Sequence, residues 1–266
     1  MNLFQWCKYQ LYHLTILAFP KEKLRLFVSF SKTKWIRDIF FRPKGVPEIY
    51  KKKIHYFQFI LHISCPLQML IKAENRGIES SLSRLIINEL SKGDQCIDIG
   101  ANFGFITMIM AKSVGLDGHV FSFEAESYIF QVLTKNINDN ALDKICTVGN
   151  FFISNKSNKN DKKLDDIIEK NKNEKIRLIK IDTDGSDYNC LLGAEQLMKK
   201  DMPIIVIEIN EKGTEIYNKL VDLGYDYFYD QYYNVISTNN MPPNLIASCN
   251  QLENIYLKQL RVIEIE

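Results

Sequence analysis

Residues 97–107 read Ile-Asp-Ile-Gly-Ala-Asn-Phe-Gly-Phe-Ile-Thr, and no other stretch limits the fold so tightly. A short apolar strand, 95–99, runs into a glycine-containing turn. A helical stretch, 104–113, follows at once. A second apolar strand, 119–123, closes on Glu124. Strand, glycine turn, helix, strand and acid in that order predict an α/β sheet. Such a sheet holds a nucleoside-bearing ligand at the carboxyl ends of its strands.

The glycines have separate jobs. Gly100 and Gly104 let the backbone turn sharply and let a ligand approach with no Cβ in the way. Glu124 lies 24 positions after Gly100, near the spacing at which an acid at the second strand's tip accepts hydrogen bonds from ribose hydroxyls. The middle position of the turn is Asn102, where a dinucleotide site has glycine. The pattern is therefore G-x-N-x-G, which argues against a nicotinamide dinucleotide enzyme.

Alternation continues downstream. The pattern predicts strands at 95–99, 119–123, 145–149, 176–181, 203–209 and 225–229. It predicts helices at 78–91, 104–113, 127–138, 163–171, 188–199 and 212–223. Strands alternating with helices imply a mainly parallel sheet covered on both faces. The Lys-, Asn- and Asp-rich segment 155–175 reads as a solvated loop and a surface helix.

The first part of the chain is different. Residues 1–76 hold 14 Lys and Arg against 4 Asp and Glu, a balance of +10, whereas residues 77–266 hold 20 against 28, a balance of −8; together these give the net +2. A basic N-terminal extension, 1–76, thus precedes an acidic domain, 77–266. Residues 3–19 carry apolar side chains near helical spacing, and Pro20 ends that helix. Two short strands are expected at about 55–72, around Ser64, Cys65 and Pro66. The arm reads in two ways. It could hold the protein at an anionic surface through residues 1–53, or pack on the domain or form a dimer contact.

Composition narrows the class further. Apolar residues make up 46% and charged residues 25%, as in ordinary globular domains. Cys7, Cys65, Cys96, Cys146, Cys190 and Cys249 show no C-x-x-C spacing, so neither a zinc nor a redox motif is visible. Cys96 and Cys146 fall in apolar strands and read as reduced core residues, favouring a reducing compartment. No uncharged apolar run reaches 18 residues, and no signal-peptide pattern is present. The expected location is cytoplasmic, with peripheral contact at the inner membrane face if the arm binds it.

Further blocks follow the glycine turn in a fixed order. They are Val120-Phe-Ser-Phe-Glu124, Leu164-Asp-Asp-Ile-Ile168 and Ile179-Lys-Ile-Asp-Thr-Asp-Gly185, then Leu192-Gly-Ala-Glu195, Pro203-Ile-Ile-Val-Ile-Glu208 and Leu223-Gly-Tyr225. Over about residues 78–230 the chain resembles the FkbM family of S-adenosylmethionine-dependent methyltransferases. The resemblance implies a class I methyltransferase, Rossmann-like fold. It implies S-adenosylmethionine as cofactor, held by Asp98, Gly100, Ala101, Asn102, Gly104, Glu124 and Asn150. Asp98 would face the methionine amino group, Glu124 both ribose hydroxyls, and Asn150 the adenine edge.

Asp182 and Asp184 would act as base or orient the acceptor, a hydroxyl of a glycan sugar or small natural product. No metal is implied. The family's Asp-x-Glu-Gly-x-Glu here reads Asp182-Thr-Asp184-Gly185-Ser-Asp187, keeping the charge and shortening two carboxylates by one methylene.

Two other functions compete. The basic arm suggests a nucleic-acid methyltransferase. However, the Asp/Asn-Pro-Pro-aromatic turn of amino-group methylases is missing after the fourth strand of the domain, and Pro242-Pro243 lies elsewhere. Nucleic acid is therefore not the expected partner. The altered acids also allow a non-catalytic cofactor-binding or scaffold protein. Neither the acceptor nor the oligomeric state is written in the sequence.

Overall fold

A computed structural model describes residues 49–74, 79–168, 175–210, 212–236 and 241–252. The chain divides into two compact units, Met1–Ile78 and Glu79–Glu266. The helix expected at 3–19 lies outside the described residues.

In the first unit, strands β1 (Ile49–Tyr56) and β2 (Phe59–Pro66) form an antiparallel hairpin, and helix α1 (Leu67–Glu74) follows. The pair expected at about 55–72 is thus displaced toward the N-terminus. Its second segment is helical instead. Leu67, Leu70 and Ile71 are buried at helical spacing, and Pro66 closes the strand just before them. The lysines at 51–53 conceal β1 in the sequence. Yet Tyr50, Ile54 and Tyr56 alternate inward while Lys51, Lys53 and His55 point out. The inward Lys52 pairs with Glu74.

The second unit contains α2 (Ser80–Glu89), β3 (Gln95–Ile99), α3 (Phe105–Val114), β4 (His119–Phe123), α4 (Ser127–Asp139), β5 (Cys146–Gly149), β6 (Phe152–Ile153), β7 (Asp161–Lys162), α5 (Leu164–Ile168), β8 (Ile176–Ile181), α6 (Asp187–Leu192), α7 (Glu195–Asp201), β9 (Ile204–Glu208), α8 (Gly213–Asp222), β10 (Tyr227–Tyr229) and β11 (Asn244–Ser248). Seven strands form one sheet in the order β10-β11-β9-β8-β3-β4-β5, parallel from β9 to β5.

Both faces of that sheet are covered. Ile97, Ile99, Phe121, Phe123, Ile179, Ile181, Ile205 and Ile207 point into a core shared with Leu191, Met198, Ile216 and Leu220 of the later helices. Cys96, Val120, Leu178 and Ile204 are buried on the opposite side, where α3 packs on β3 and β4. A helix as apolar as α3 has to be enclosed. Burial also pushes the Cys146 and Cys190 thiols up to about 12, which makes them inert core groups.

Three details differ from expectation. β11 was not foreseen; it enters antiparallel between β9 and β10. Five residues with both faces buried show no alternation to read. The helix expected at 188–199 is two, α6 and α7, parted at Gly193 and Ala194. A two-residue parallel pair, β6 with β7, interrupts the segment read as a solvated loop.

Candidate active site

The strand order creates the site. After β3 the chain moves outward through β4 to β5. It then returns to the other flank of β3 with β8 and continues to β9. The reversal lies between β3 and β8, and the crevice outside such a switch point is where open α/β sheets bind ligands. It brings the turn after β3 against the turn after β8. Asp182 N donates to Ile99 O at 3.1 Å. A Cβ on Gly100 would lie 1.7 Å from the Asp182 carbonyl oxygen. Gly100, with φ 74°, is therefore required for space as well as for conformation.

Asp98 is fully buried below this turn. Its Oδ2 accepts from Thr107 Oγ1 at 2.6 Å, and Thr107 Oγ1 accepts from Ser122 Oγ at 2.9 Å. Thr107 thus supports the site instead of bonding within its own helix. Asp98 Oδ1 has no hydrogen-bond partner among the described residues; the Lys180 ammonium lies 3.5 Å away.

Glu124, at the tip of β4, clamps two turns. Its Oε2 accepts from Asn102 N at 2.8 Å and its Oε1 from Glu126 N at 2.8 Å. Ala101 is buried, and its N–H donates to Phe123 O at 3.0 Å. Asn102 has φ 52°, a left-handed conformation that asparagine tolerates better than most residues. That accounts for asparagine where other sites carry glycine. Gly104, with φ 82°, opens α3.

Asn150 is fully engaged with the loop itself. Its Nδ2 donates to Glu124 O at 2.9 Å and Ala125 O at 3.0 Å, and its Oδ1 accepts from Ser127 Oγ at 2.9 Å. The side chain expected at the adenine edge thus also ties the β4–α4 turn together.

The second turn, 182–187, is organised by its last acid. Asp187 is 3% exposed. Its Oδ1 accepts from Thr183 N at 2.8 Å and Thr183 Oγ1 at 3.0 Å. Its Oδ2 accepts from Gly185 N and Asn210 Nδ2, both at 3.2 Å. Asp184 sits at the exposed tip with φ 50°. It lines a cleft of about 680 Å³ with Gly185, Asp187, Tyr188, Asn210 and Lys212 among others.

Asp182 is placed differently from Asp184. Its side chain is 36% exposed, and its Oδ2 lies 3.2 Å from Lys180 Nζ. It also interacts with the carboxyl of Glu208, at the end of β9. Burial raises the Glu208 carboxyl; a hydrogen bond from Asn210 opposes that, and the Asp182 carboxylate adds to it. Lys180 is 5% exposed. Burial alone would pull its ammonium down, but Asp98, Glu79 and Asp182 more than compensate and hold it above the ordinary lysine value.

The sequence reading overlooked Lys180, Glu79 and Asn210. Lys180 left a trace, a lone cation between Ile179 and Ile181 in an otherwise apolar strand. Among the described residues, no cluster of three or more His, Cys, Asp or Glu could hold a metal ion. No helix among them is long and apolar enough to cross a membrane.

Comparison with known proteins divides the chain at the same place as the site. The methyltransferase FkbM domain matches residues 151–227, which carry the Asp182–Asp187 turn. The protein-L-isoaspartate(D-aspartate) O-methyltransferase model matches residues 49–151, which carry the glycine turn and Glu124. No curated protein matches the chain significantly.

Among solved structures, the methyltransferase FkbM from Methylobacillus flagellatus KT is 15% identical, with 68% of this chain and 54% of that one covered and a TM-score of 0.47. A SAM-dependent O-methyltransferase from Thermotoga maritima is 13% identical, with 76% and 87% covered and a TM-score of 0.44. The METTL16 MTase domain is 18% identical, with 72% and 74% covered and a TM-score of 0.49. These likenesses are distant and carry no weight for the chemistry. The block order of the sequence and the FkbM domain match agree over residues 151–227, and the two matched models together make residues 49–227 similar to methyltransferases, whose cofactor is S-adenosylmethionine.

Proposed function

We propose that the enzyme methylates a hydroxyl oxygen of a glycan sugar or a small natural product, with Asp182 as the base. The observation that carries this reading is the position of Asp182. It is a partly exposed carboxylate at the switch point: its backbone N–H bonds Ile99 O at the end of β3, its Oδ2 lies 3.2 Å from Lys180 Nζ, and the cleft lined by Asp184 begins two residues further on.

The residues present fit the cofactor. The buried Asp98 Oδ1 lacks a hydrogen-bond donor among the described residues and suits an ammonium group. Glu124 accepts one backbone N–H on each oxygen, leaving lone pairs for ribose hydroxyls. Gly100, Ala101, Asn102 and Gly104 form the floor, and α3 presents its N-terminus there. Asn150 acts by fixing the carbonyls around Glu124.

S-adenosylmethionine, when bound, supplies an electrophilic methyl group. The chain's own residues align the acceptor hydroxyl and take its proton onto the Asp182 carboxylate. Asp184 and the cleft beside it orient the acceptor. The likeness to an O-methyltransferase model over 49–151 supports oxygen as the receiving atom. The turn Asp182-Thr-Asp184-Gly185 lacks the proline pair expected of base amino-group methylases. Pro243 lies instead beside β9, accepting from Ile209 N at 2.8 Å.

Incubation with methyl-labelled cofactor and a panel of sugars, phenols, peptides and RNA tests the reading. Label in an alkali-stable ether on a hydroxyl acceptor is expected. Label on a nucleobase nitrogen or in an alkali-labile ester would sink it. Cofactor binding with no transfer to any acceptor would favour the scaffold alternative.

A further inference from the structure

We propose that Lys180 is a positioning residue that pairs with the Asp182 carboxylate and fixes it to the cofactor turn. The inference rests on the reading of Asp182 as the base.

Lys180 lies on β8 between Ile179 and Ile181, whose side chains enter the core. Its ammonium reaches three oxygens at the sheet edge: Gly100 O at 3.2 Å, Asp182 Oδ2 at 3.2 Å and Asp98 Oδ1 at 3.5 Å. One cation therefore contacts the glycine turn, the acid beneath it and the acid on the acceptor side. An ammonium this buried is costly unless it is paired and hydrogen-bonded. An aliphatic residue would be the simpler occupant of a strand interior, and no other described contact accounts for a lysine there.

The surroundings show what the charge does. The groups facing Asp182 and its partners come from every element packed at this edge. They are Lys180 from β8, Asp98 from β3, Glu208 from β9, Glu79 ahead of α2, and Asp187 from α6, which acts on Glu208. Of these, Lys180 alone is positive. Two neighbouring carboxylates resist ionising together. The ion pair at 3.2 Å puts the cation on Asp182, while burial and the Asp182 carboxylate raise the Glu208 carboxyl against the hydrogen bond it accepts from Asn210 Nδ2 at 3.0 Å. Without Lys180, these groups would be five acids with no cation among them. The Gly100 carbonyl contact also sets the distance of Asp182 from the cofactor floor.

The test is the pH dependence of kcat in the full-length enzyme and in Lys180→Met, Lys180→Arg and Asp182→Asn, with cofactor affinity measured alongside. In Lys180→Met the acid limb should move up by about one pH unit or more. At pH values below the limb turnover then falls about tenfold for each unit of the shift, and it recovers at higher pH. Lys180→Arg should restore the original limb. A fall in Lys180→Met that is uniform across pH, or an unmoved limb, overturns the proposal.

If Lys180→Met does not fold, Lys180→Gln keeps a polar side chain of similar length in the buried site and should show the same upward limb. An original limb there is equally decisive against it. Normal turnover in Asp182→Asn would remove the base itself. An inactive Asp182→Asn beside an unmoved limb in Lys180→Met would remove only the role of Lys180.

Discussion

Two turns meet at the sheet edge, and they are built by the same device to opposite ends. In each, a carboxylate collects backbone N–H groups. Glu124 takes those of Asn102 and Glu126, and Asp187 takes those of Thr183 and Gly185. Each turn also contains a left-handed residue other than glycine, Asn102 at φ 52° and Asp184 at φ 50°. The difference is in packing. A Cβ at Gly100 would overlap the Asp182 carbonyl and one at Gly104 would lie 2.5 Å from Leu133 Cδ1, whereas a Cβ at Gly185 meets nothing within 4 Å. The first turn is enclosed and admits one geometry. The second opens onto a cleft and can vary without disturbing the sheet.

The largest effect should come from the contact between the two turns. Asp182→Asn keeps the shape of the side chain and removes the base, so turnover should fall ~10²–10⁴-fold. Cofactor affinity, measured by calorimetry, should stay near that of the native protein. Equal turnover in the folded variant would show that the acceptor-side turn is scaffolding like its neighbour.

The glycines give a direct contrast. Gly100→Ala combines a left-handed backbone with the overlap against Asp182 and should cost about 3–4 kcal/mol of stability. Gly185→Ala carries the backbone strain alone, about 1–3 kcal/mol. Denaturant titration of the two variants measures the gap. Equal losses would mean that the enclosed turn relaxes as freely as the open one.

Glu124→Ala removes the acceptor of the Asn102 and Glu126 N–H groups together with the proposed ribose contact. Cofactor binding should weaken by roughly 1.5–3 kcal/mol. Glu124→Gln retains one oxygen and should lie between. Calorimetry showing native affinity in the alanine variant would remove Glu124 from the cofactor site.

The same contrast explains what the sequence could and could not disclose. The enclosed turn was legible because crowding leaves local marks: Gly100 and Gly104 in place, an apolar strand on either side, an acid at the second tip. β3, β4 and β8 fall where the apolar runs put them, since strands buried on both faces must be continuously apolar. What was missed depends on juxtaposition. Lys180 acquires its partners only because β8 returns beside β3, and strand order is not written in any one segment. Asn150 resembles a ligand-binding residue in sequence, and its three loop contacts appear only once β5 pairs with β4. β1 was hidden by lysines whose charged ends reach solvent while the strand packs.

The smallest effect should come from Asp184, and it discriminates most finely between the turns. Asp182 and Asp184 are two residues apart and chemically alike. Asp182 is held by Lys180 and set beside Glu208, while Asp184 has no hydrogen bond or ion pair among the described residues and sits at an exposed left-handed tip. Asparagine adopts that conformation at least as readily as aspartate. Asp184→Asn should therefore leave stability within about 0.5 kcal/mol of the native value. If Asp184 only orients the acceptor across the cleft, its loss should raise the acceptor KM and leave kcat and cofactor affinity nearly unchanged. The measurement is steady-state kinetics on Asp182→Asn and Asp184→Asn side by side. A kcat loss in Asp184→Asn as deep as that in Asp182→Asn would move the base from the enclosed contact to the open tip.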